Sequence, residues 1–378
     1  MPLTIVNLIT DLNTGGAEQM LYKLVTRMDR QKFRPVVVSM TDVGHVGLKM
    51  RTEGIPVFSL GMALGRPSLK GILRFCLLLR RESPDILQTW LYHADLLGLI
   101  TGRIARAKRI VWGLRCSDMD LRNYRFLTAL TVRSCALLSA LPDAIIANSR
   151  QGIEIHRKMG YHMRRMALIP NGFDTEHFAP DQSARAWLLG QLGLSQDAIL
   201  IGLIARFDPM KDQKGFLAAA SRLAAKHSSV HFLLVGKGMD SDNPELKPLL
   251  DHPWKDNILM LGPRDDIPRL TAALDIATSS SAYGEGFSNA IGEAMASGVP
   301  CVVTNIGDSA QIVGTTGIVV PPRDPDALVN AWERLLIMGR DGRKAMGDKA
   351  RSRIMKHYKI EKVARRFEEF YGSLLALG

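Results

Sequence analysis

Short runs of aliphatic and β-branched residues alternate with segments of helical period along the whole chain, and this alternation restricts the fold more than any other feature. Strands that run parallel need long crossover connections, usually helices, so the pattern predicts α/β architecture with parallel sheets covered on both faces. Strands are expected at Leu3–Ile9, Pro35–Met40, Pro56–Ser59, Asp85–Trp90, Arg109–Leu114, Ala144–Asn148 and Ala167–Ile169. A second series follows at Ile199–Ala205, His231–Val235, Ile258–Leu261, Ile276–Ser279, Pro300–Thr304 and Ile318–Val320. Between the first two strands, Met20, Leu21, Leu24, Val25 and Met28 fall on one face of a helix over Ala17–Met28. A chain of 378 residues can build two substantial cores. Polar residues and Pro replace the strand pattern in Phe173–Asp181, after the turn Ile169-Pro170-Asn171-Gly172, so domains are expected at 1–175 and 176–359.

Composition narrows the function classes. Hydrophobic residues make up 46% and charged residues 23% of the chain, as in ordinary globular proteins, and Arg or Lys interrupts the longest apolar stretches before they reach the length of a membrane span. Residues 1–9 read as a strand without a basic leader or a small-residue cleavage site behind it, which predicts a cytoplasmic protein. Cys76, Cys116, Cys135 and Cys301 stand far apart, and the histidines form no H-E-x-x-H or H-x-E arrangement, so free thiols and no metal site are expected.

The net charge is +12, and residues 101–170 hold thirteen Lys or Arg against four Asp or Glu. Such an excess suits an anionic partner, whether nucleic acid, anionic lipid or a phosphorylated acceptor, and suits a merely solvated surface as well. No RNP motif, zinc finger or aromatic-interleaved basic stripe favours nucleic acid. Phe126, Leu127, Leu130, Leu137, Leu138 and Leu141 beside Arg122, Arg125 and Arg133 fit a helix lying at a membrane surface, and fit a core helix equally.

The chemistry gathers just beyond strand ends, where doubly wound sheets bind ligands. In the segment Gly284-Glu285-Gly286-Phe287-Ser288-Asn289-Ala290-Ile291-Gly292-Glu293, two acids are separated by a glycine-rich turn and a helix start. Ser288 or Asn289 can cap that helix, and Gly298 with Pro300 ends it. Its N-terminus offers backbone N–H groups to a phosphate or sugar hydroxyl, and Gly292 implies a close approach inside the helix. Gly15-Gly16-Ala17-Glu18 opens the first helix in a similar way, without the G-x-G-x-x-G of dinucleotide enzymes. His93 and Asp95 follow the strand ending at Trp90, with Asp95 a candidate helix cap, and Arg115-Cys116-Ser117-Asp118 follows the next strand. Arg206 and Lys211 lie beyond the strand ending at Ala205; Gly236-Lys237-Gly238 and Arg264 follow two further strands and fit plain turns almost as well as ligand contacts.

The Glu285-to-Glu293 block resembles the E-x7-E signature of the retaining glycosyltransferases of family 4, and the resemblance extends in order along essentially the whole chain. It implies the GT-B fold, two Rossmann-like domains facing each other across a cleft, with a terminal helix at 360–378 crossing back onto the first domain. It also implies a metal-independent hexosyl- or N-acetylhexosaminyltransferase that takes its sugar from a nucleoside diphosphate donor, with a UDP-sugar expected, and needs no cofactor. By that resemblance Gly15, Gly16 and Gly236 line the donor site, Arg264 is near the base, and His93 faces the transferred sugar. Arg206 and Lys211 grip the diphosphate, Glu285 faces the donor sugar, the N–H groups of Phe287, Ser288 and Asn289 meet sugar and phosphate, and Glu293 accepts from the ribose hydroxyls. One departure from the pattern is Ala205, where many members have Gly before the Arg. The basic, partly apolar face expected on the first domain suggests as acceptor a glycan or lipid-linked intermediate of bacterial surface polysaccharide, with peripheral contact to an anionic membrane and no nucleic acid. Two other readings compete: a Rossmann oxidoreductase, which lacks its fingerprint, and a noncatalytic nucleic-acid-binding protein, which leaves the two acids unexplained.

Overall fold

The computed structural model describes every residue except 14, 64–67, 116–125, 251–252 and 377–378. Cys116, Ser117, Asp118, Arg122 and Arg125 therefore lie outside the described residues. The chain divides into two units, Met1–Gly172 with Ile360–Gly378, and Phe173–Lys359.

The first unit runs β1 (Leu3–Ile9), α1 (Gly16–Arg27), β2 (Phe33–Ser39), α2 (Gly44–Thr52), β3 (Val57–Ser59), α3 (Leu69–Glu82), β4 (Ile86–Trp90), α4 (Tyr92–Ala105), β5 (Arg109–Leu114), α5 (Phe126–Leu138), β6 (Ala144–Ala147), α6 (Arg150–Lys158) and β7 (Met166–Leu168). All seven strands are parallel, in the order β3-β2-β1-β4-β5-β6-β7. The chain thus starts mid-sheet, winds outward to β3, and returns beside β1, which creates a switch point between β1 and β4. Right-handed crossovers then put the helices before and after that return on opposite faces. Side-chain alternation serves both: Ile5 and Ile9 of β1 pack in the core of α1 and α2, while Val6 and Leu8 pack with Phe75 and Leu79 of α3 and Leu97 of α4.

The second unit runs α7 (Ala184–Leu192), β8 (Ile199–Ile204), α8 (Gln213–Ala224), β9 (Val230–Val235), β10 (Ile258–Gly262), α9 (Ile267–Ala273), β11 (Ile276–Ser279), α10 (Asn289–Ala296), β12 (Cys301–Thr304), α11 (Ser309–Val313), β13 (Ile318–Val320), α12 (Pro325–Ile337) and α13 (Gly339–His357). Its parallel sheet, β10-β9-β8-β11-β12-β13, repeats the scheme with a switch point between β8 and β11. The last helix, α14 (Ile360–Ala376), belongs to the first unit, where Ile360, Val363, Phe367 and Tyr371 enter the core and the Phe367 ring stacks 6.4 Å from Trp90.

Every strand expected from the sequence forms, with ends shifted by at most two residues. The domain boundary falls at Gly172–Phe173, three residues before the expected 175, because Phe173 is a fully buried member of the second core. Its ring stacks on Phe287 at 5.9 Å, and its N–H donates to the Tyr358 carbonyl. Cys76, Cys135 and Cys301 are buried free thiols.

Candidate functional site

In the second unit the switch point is built by the loops after β8 and β11. After β8 the chain makes a short helical turn at Pro209–Lys211, held by Asp208, whose carboxylate accepts from the Met210 N–H at 3.0 Å. Asp212, in the left-handed region at φ 49°, then caps α8 by accepting from the Gly215 N–H. Lys211 is thereby fixed by backbone on both sides, and its carbonyl also accepts from Ser280 Oγ at 2.7 Å. Its ammonium is paired with Glu285 Oε2, which also accepts from Ser281 Oγ at 3.0 Å. The two side chains are only 17% and 10% exposed. An ion pair this dry holds strongly together, and removing either partner would strand a buried charge. Arg206, by contrast, is exposed and donates through Nε and Nη2 to Asp208 at 3.1 and 2.7 Å.

The glycine-rich loop carrying Glu285 is pressed against the start of α11: a Cβ on Gly307 would lie 1.9 Å from the Glu285 carbonyl, and the Asp308 N–H donates to the Gly286 carbonyl. Phe287 turns its ring into the core against Phe173 and Tyr358, so only its backbone is available to a ligand. Ser288 occupies the N-cap position of α10 without a side-chain capping bond, and Asn289 is the first helical residue. Glu293 lies on the same helix, half-buried. Gly292 fulfils the expectation of a close approach, though by the chain itself: a Cβ there would meet three Phe173 ring atoms at 1.9–2.4 Å.

Gly236 and Arg264 are explained by their own surroundings. At Gly236, φ is 137° and a Cβ would stand 2.1 Å from the Ala205 carbonyl oxygen, so glycine is required where the ends of β8 and β9 meet. Arg264 forms a bidentate pair with Asp266 and reaches Gln191 at 3.3 Å.

The first unit's switch point is built from different chemistry. Gly15 caps α1 with extended backbone, and Gly16 is its first residue. Glu18, quoted in the motif but given no role there, folds its carboxylate back over Gly15: a Cβ on that glycine would lie 2.2 Å from Oε2. Burial pushes the Glu18 carboxyl up to about 7, opposed by a hydrogen bond from its own N–H. After β4, Leu91 adopts φ 75° and ψ 154°, a region nearly confined to glycine. Two anchors follow it. His156 Nδ1 lies 2.6 Å from the Gly152 carbonyl and so must donate to it, leaving Nε2 to accept from the Tyr92 hydroxyl at 2.7 Å. Asp95 is fully buried, takes Thr89 Oγ1 at 2.5 Å and the Gly113 N–H at 3.4 Å, and leaves Oδ2 without a partner among the described residues. The expected capping role for Asp95 is replaced by this bridge across β4 and β5, and burial pushes its carboxyl up to about 8. Between the anchors sits His93, half-buried, hydrogen-bonded to no described residue, its imidazole held below the usual range by burial.

Arg115 follows β5, stacks over Trp90 at 4.2 Å and donates to Asn171 at 3.0 Å, while Nε and Nη2 have no partner among the described residues. Among the described residues no group of three His, Cys, Asp or Glu side chains is arranged to hold a metal ion.

The model of glycosyltransferase family 4 matches residues 14–177 and that of the glycosyl transferases group 1 matches residues 198–337, together taking in both switch points. The chain is a glycosyltransferase that carries a family 4 domain followed by a group 1 domain. A UDP-Gal:α-D-GlcNAc-diphosphoundecaprenol α-1,3-galactosyltransferase of Escherichia coli is 28% identical over 71% of this chain and 70% of its own length. A D-inositol 3-phosphate glycosyltransferase of Corynebacterium urealyticum is 29% identical over 73% and 70%. Anabaena HepE, solved in complex with UDP, superimposes with a TM-score of 0.85 at 23% identity over 98% of this chain and 100% of its own, which identifies the fold as GT-B.

Within this glycosyltransferase, then, the structure brings Lys211 together with Glu285, and Arg206 with Asp208. It puts Ser288, Asn289 and Glu293 on one helix and leaves Gly236 and Arg264 occupied by packing and pairing. Sequence reasoning missed Ser281 and Asp208, which follow the same strands as the residues they orient, and Leu91, whose backbone conformation no sequence signal marks.

Proposed function

We propose that this glycosyltransferase transfers a sugar from a UDP-sugar to an acceptor hydroxyl with retention at the anomeric carbon and without a metal ion. The observation that carries the reading is Lys211, a cation fixed by backbone on both sides and paired with Glu285 at a switch point. Breaking the bond between C1 and the diphosphate oxygen places negative charge on the leaving group, and preorganised cations stabilise such charge most where water is scarce. Arg206, exposed and near Lys211 in sequence, supplies the second cation by exchanging Asp208 for phosphate.

In this reading Glu293 accepts from the ribose hydroxyls, Glu285 releases part of its hold on Lys211 to the donor sugar, and His93 meets that sugar as a neutral imidazole. The acceptor oxygen bonds to C1 on the face the diphosphate leaves, and its proton passes to the departing phosphate oxygen. The acceptor is a lipid-linked or polysaccharide intermediate of bacterial surface glycan synthesis. The Escherichia coli relative supports this by its named donor and its diphosphoundecaprenol acceptor, and the UDP in Anabaena HepE supports the nucleotide.

Thermal shift with UDP, GDP, ADP, NAD and several UDP-sugars in EDTA tests the donor. A ligand at about 100 times its Kd adds roughly 2.7 kcal/mol of stability, and Glu293→Ala should weaken the shift by UDP ligands. Stabilisation by NAD alone would sink the reading, and a product of inverted anomeric configuration by NMR would sink retention.

A further inference from the structure

Most of the large apolar side chains exposed among the described residues fall between residues 69 and 137, on three neighbouring helices of the first unit. α3, α4 and α5 lie side by side on one face of the sheet, α3 against α4 and α4 against α5. Their inner sides supply Phe75, Leu79, Leu97, Leu99, Val132 and Cys135 to the core. On α3, Leu69, Leu73 and Leu77 repeat every four residues as an outward stripe, with Leu69 86% exposed. Ile100 and Ile104 continue it on α4, and Phe126, Leu127, Leu130 and Leu137 on α5. Of the residues for which both a core and a surface helix were open readings, Leu138 is half-buried and the rest of that set is exposed.

Charge on this face has one sign. Lys70, Arg74 and Arg80 on α3, Arg103 at the end of α4, Arg106 just after it and Arg133 on α5 are all exposed. The acids of the three helices are Glu82, paired with Arg34 and Arg81, and the buried Asp95. An apolar face rimmed by cations is mismatched to a second copy of itself, because a twofold interface would set like charges against each other. It is matched to acyl chains beneath anionic headgroups.

We propose that α3, α4 and α5 form a docking surface for an anionic lipid bilayer, inserting the Leu69, Leu73 and Leu77 stripe and the Phe126 end of α5 into the headgroup layer while the arginines meet lipid phosphates. The inference deepens the lipid-linked-acceptor reading and rests on it for its purpose, but vesicle binding is measured without any transfer reaction, so either can fail alone.

The test is flotation of the full chain with vesicles of phosphatidylcholine containing about 30% phosphatidylglycerol, against phosphatidylcholine alone, at low and high salt. The wild type should float with the anionic vesicles and be released by salt. Leu69→Ser, Leu73→Ser and Leu77→Ser combined should weaken binding at least about tenfold, with the circular dichroism spectrum and the thermal shift by UDP unchanged. Arg74→Glu with Arg80→Glu should abolish the preference for phosphatidylglycerol. Failure of the wild type to float, equal flotation of the leucine variant, or a dimer by light scattering that the leucine variant dissociates while vesicles stay unbound would each overturn the proposal.

Discussion

At the second sheet's switch point Lys211 and Glu285 meet as opposite charges, whereas the helix starts after β1 and β4 of the first sheet hold carboxyls that burial drives toward the protonated state, Glu18 and Asp95, beside His93, whose imidazole burial holds below the usual range. The topology is the same, a strand that starts mid-sheet and a later one that returns beside it. The difference lies in which groups are desolvated with a partner. Lys211 loses water and gains a carboxylate; Asp95 loses water and takes hydrogen bonds from Thr89 and Gly113, and burial outweighs the nearby Arg115 guanidinium, so its charge is suppressed. One switch point therefore presents a cation held by a carboxylate, and the other presents carboxyls whose charge is suppressed.

The largest effect expected from breaking this contrast is at Lys211. Lys211→Met should lower kcat/KM by a factor on the order of 100–1000, as loss of one fixed donor to a developing anion does elsewhere. It should also lower Tm, because Glu285 stays buried without its cation. Adding Glu285→Gln should recover Tm but not transfer; recovery of both would make the pair a structural device alone.

Glu18→Gln tests the other side through pH. The folded carboxyl titrates at about 7 against an ordinary value of 4.5, so the native state binds more protons than the unfolded chain between these values. Stability contributed by the protonated form is thus present below pH 4.5 and lost as pH rises through 7. Denaturation of the wild type and the variant should coincide near the lower limit, with the variant ahead by roughly 2–3 kcal/mol at the alkaline end. A constant difference across pH would mean that Glu18 is charged throughout.

Gly292→Ala sharpens the comparison by separating packing from ligand contact. The added Cβ meets the Phe173 ring, which Phe287 and Tyr358 hold in place, so a loss of about 2 kcal/mol is expected in chemical denaturation. Nucleotide affinity measured below the transition should stay near wild type; a selective loss of affinity would return Gly292 to the ligand site. The smallest effect is at Leu91, where Gly and Ala variants both lose every contact beyond Cβ and differ chiefly in tolerance for φ 75°. Leu91→Gly should be more stable than Leu91→Ala by about 1 kcal/mol, and a reversed order would show that the backbone there is relaxed.

Much of this arrangement was legible in advance because the strands and their parallel pairing follow from hydrophobic runs spaced by helix-length connections, and doubly wound sheets bind ligands at strand ends. The Lys211 and Glu285 positions could be read in that way, and so could Ser288 at the start of α10. What could not be read is which residues those loops satisfy internally. At Gly236 the Ala205 carbonyl demands glycine whatever binds beside the turn, and Arg264 is paired with Asp266. The leucines of α5 fitted a core or a surface equally until the neighbours of α5 were fixed.

By itself the sequence determined the alternation of strands and helices, the two sheets and the residue types at their ends, because periodicity and glycine placement act over a few residues at a time. Tertiary structure alone decided which charges are paired, which are suppressed, and where a backbone such as that of Leu91 is bent. Those outcomes depend on desolvation and on contacts between segments distant in the chain, such as Lys211 with Glu285 or Gln88 with Tyr371, which no local pattern encodes.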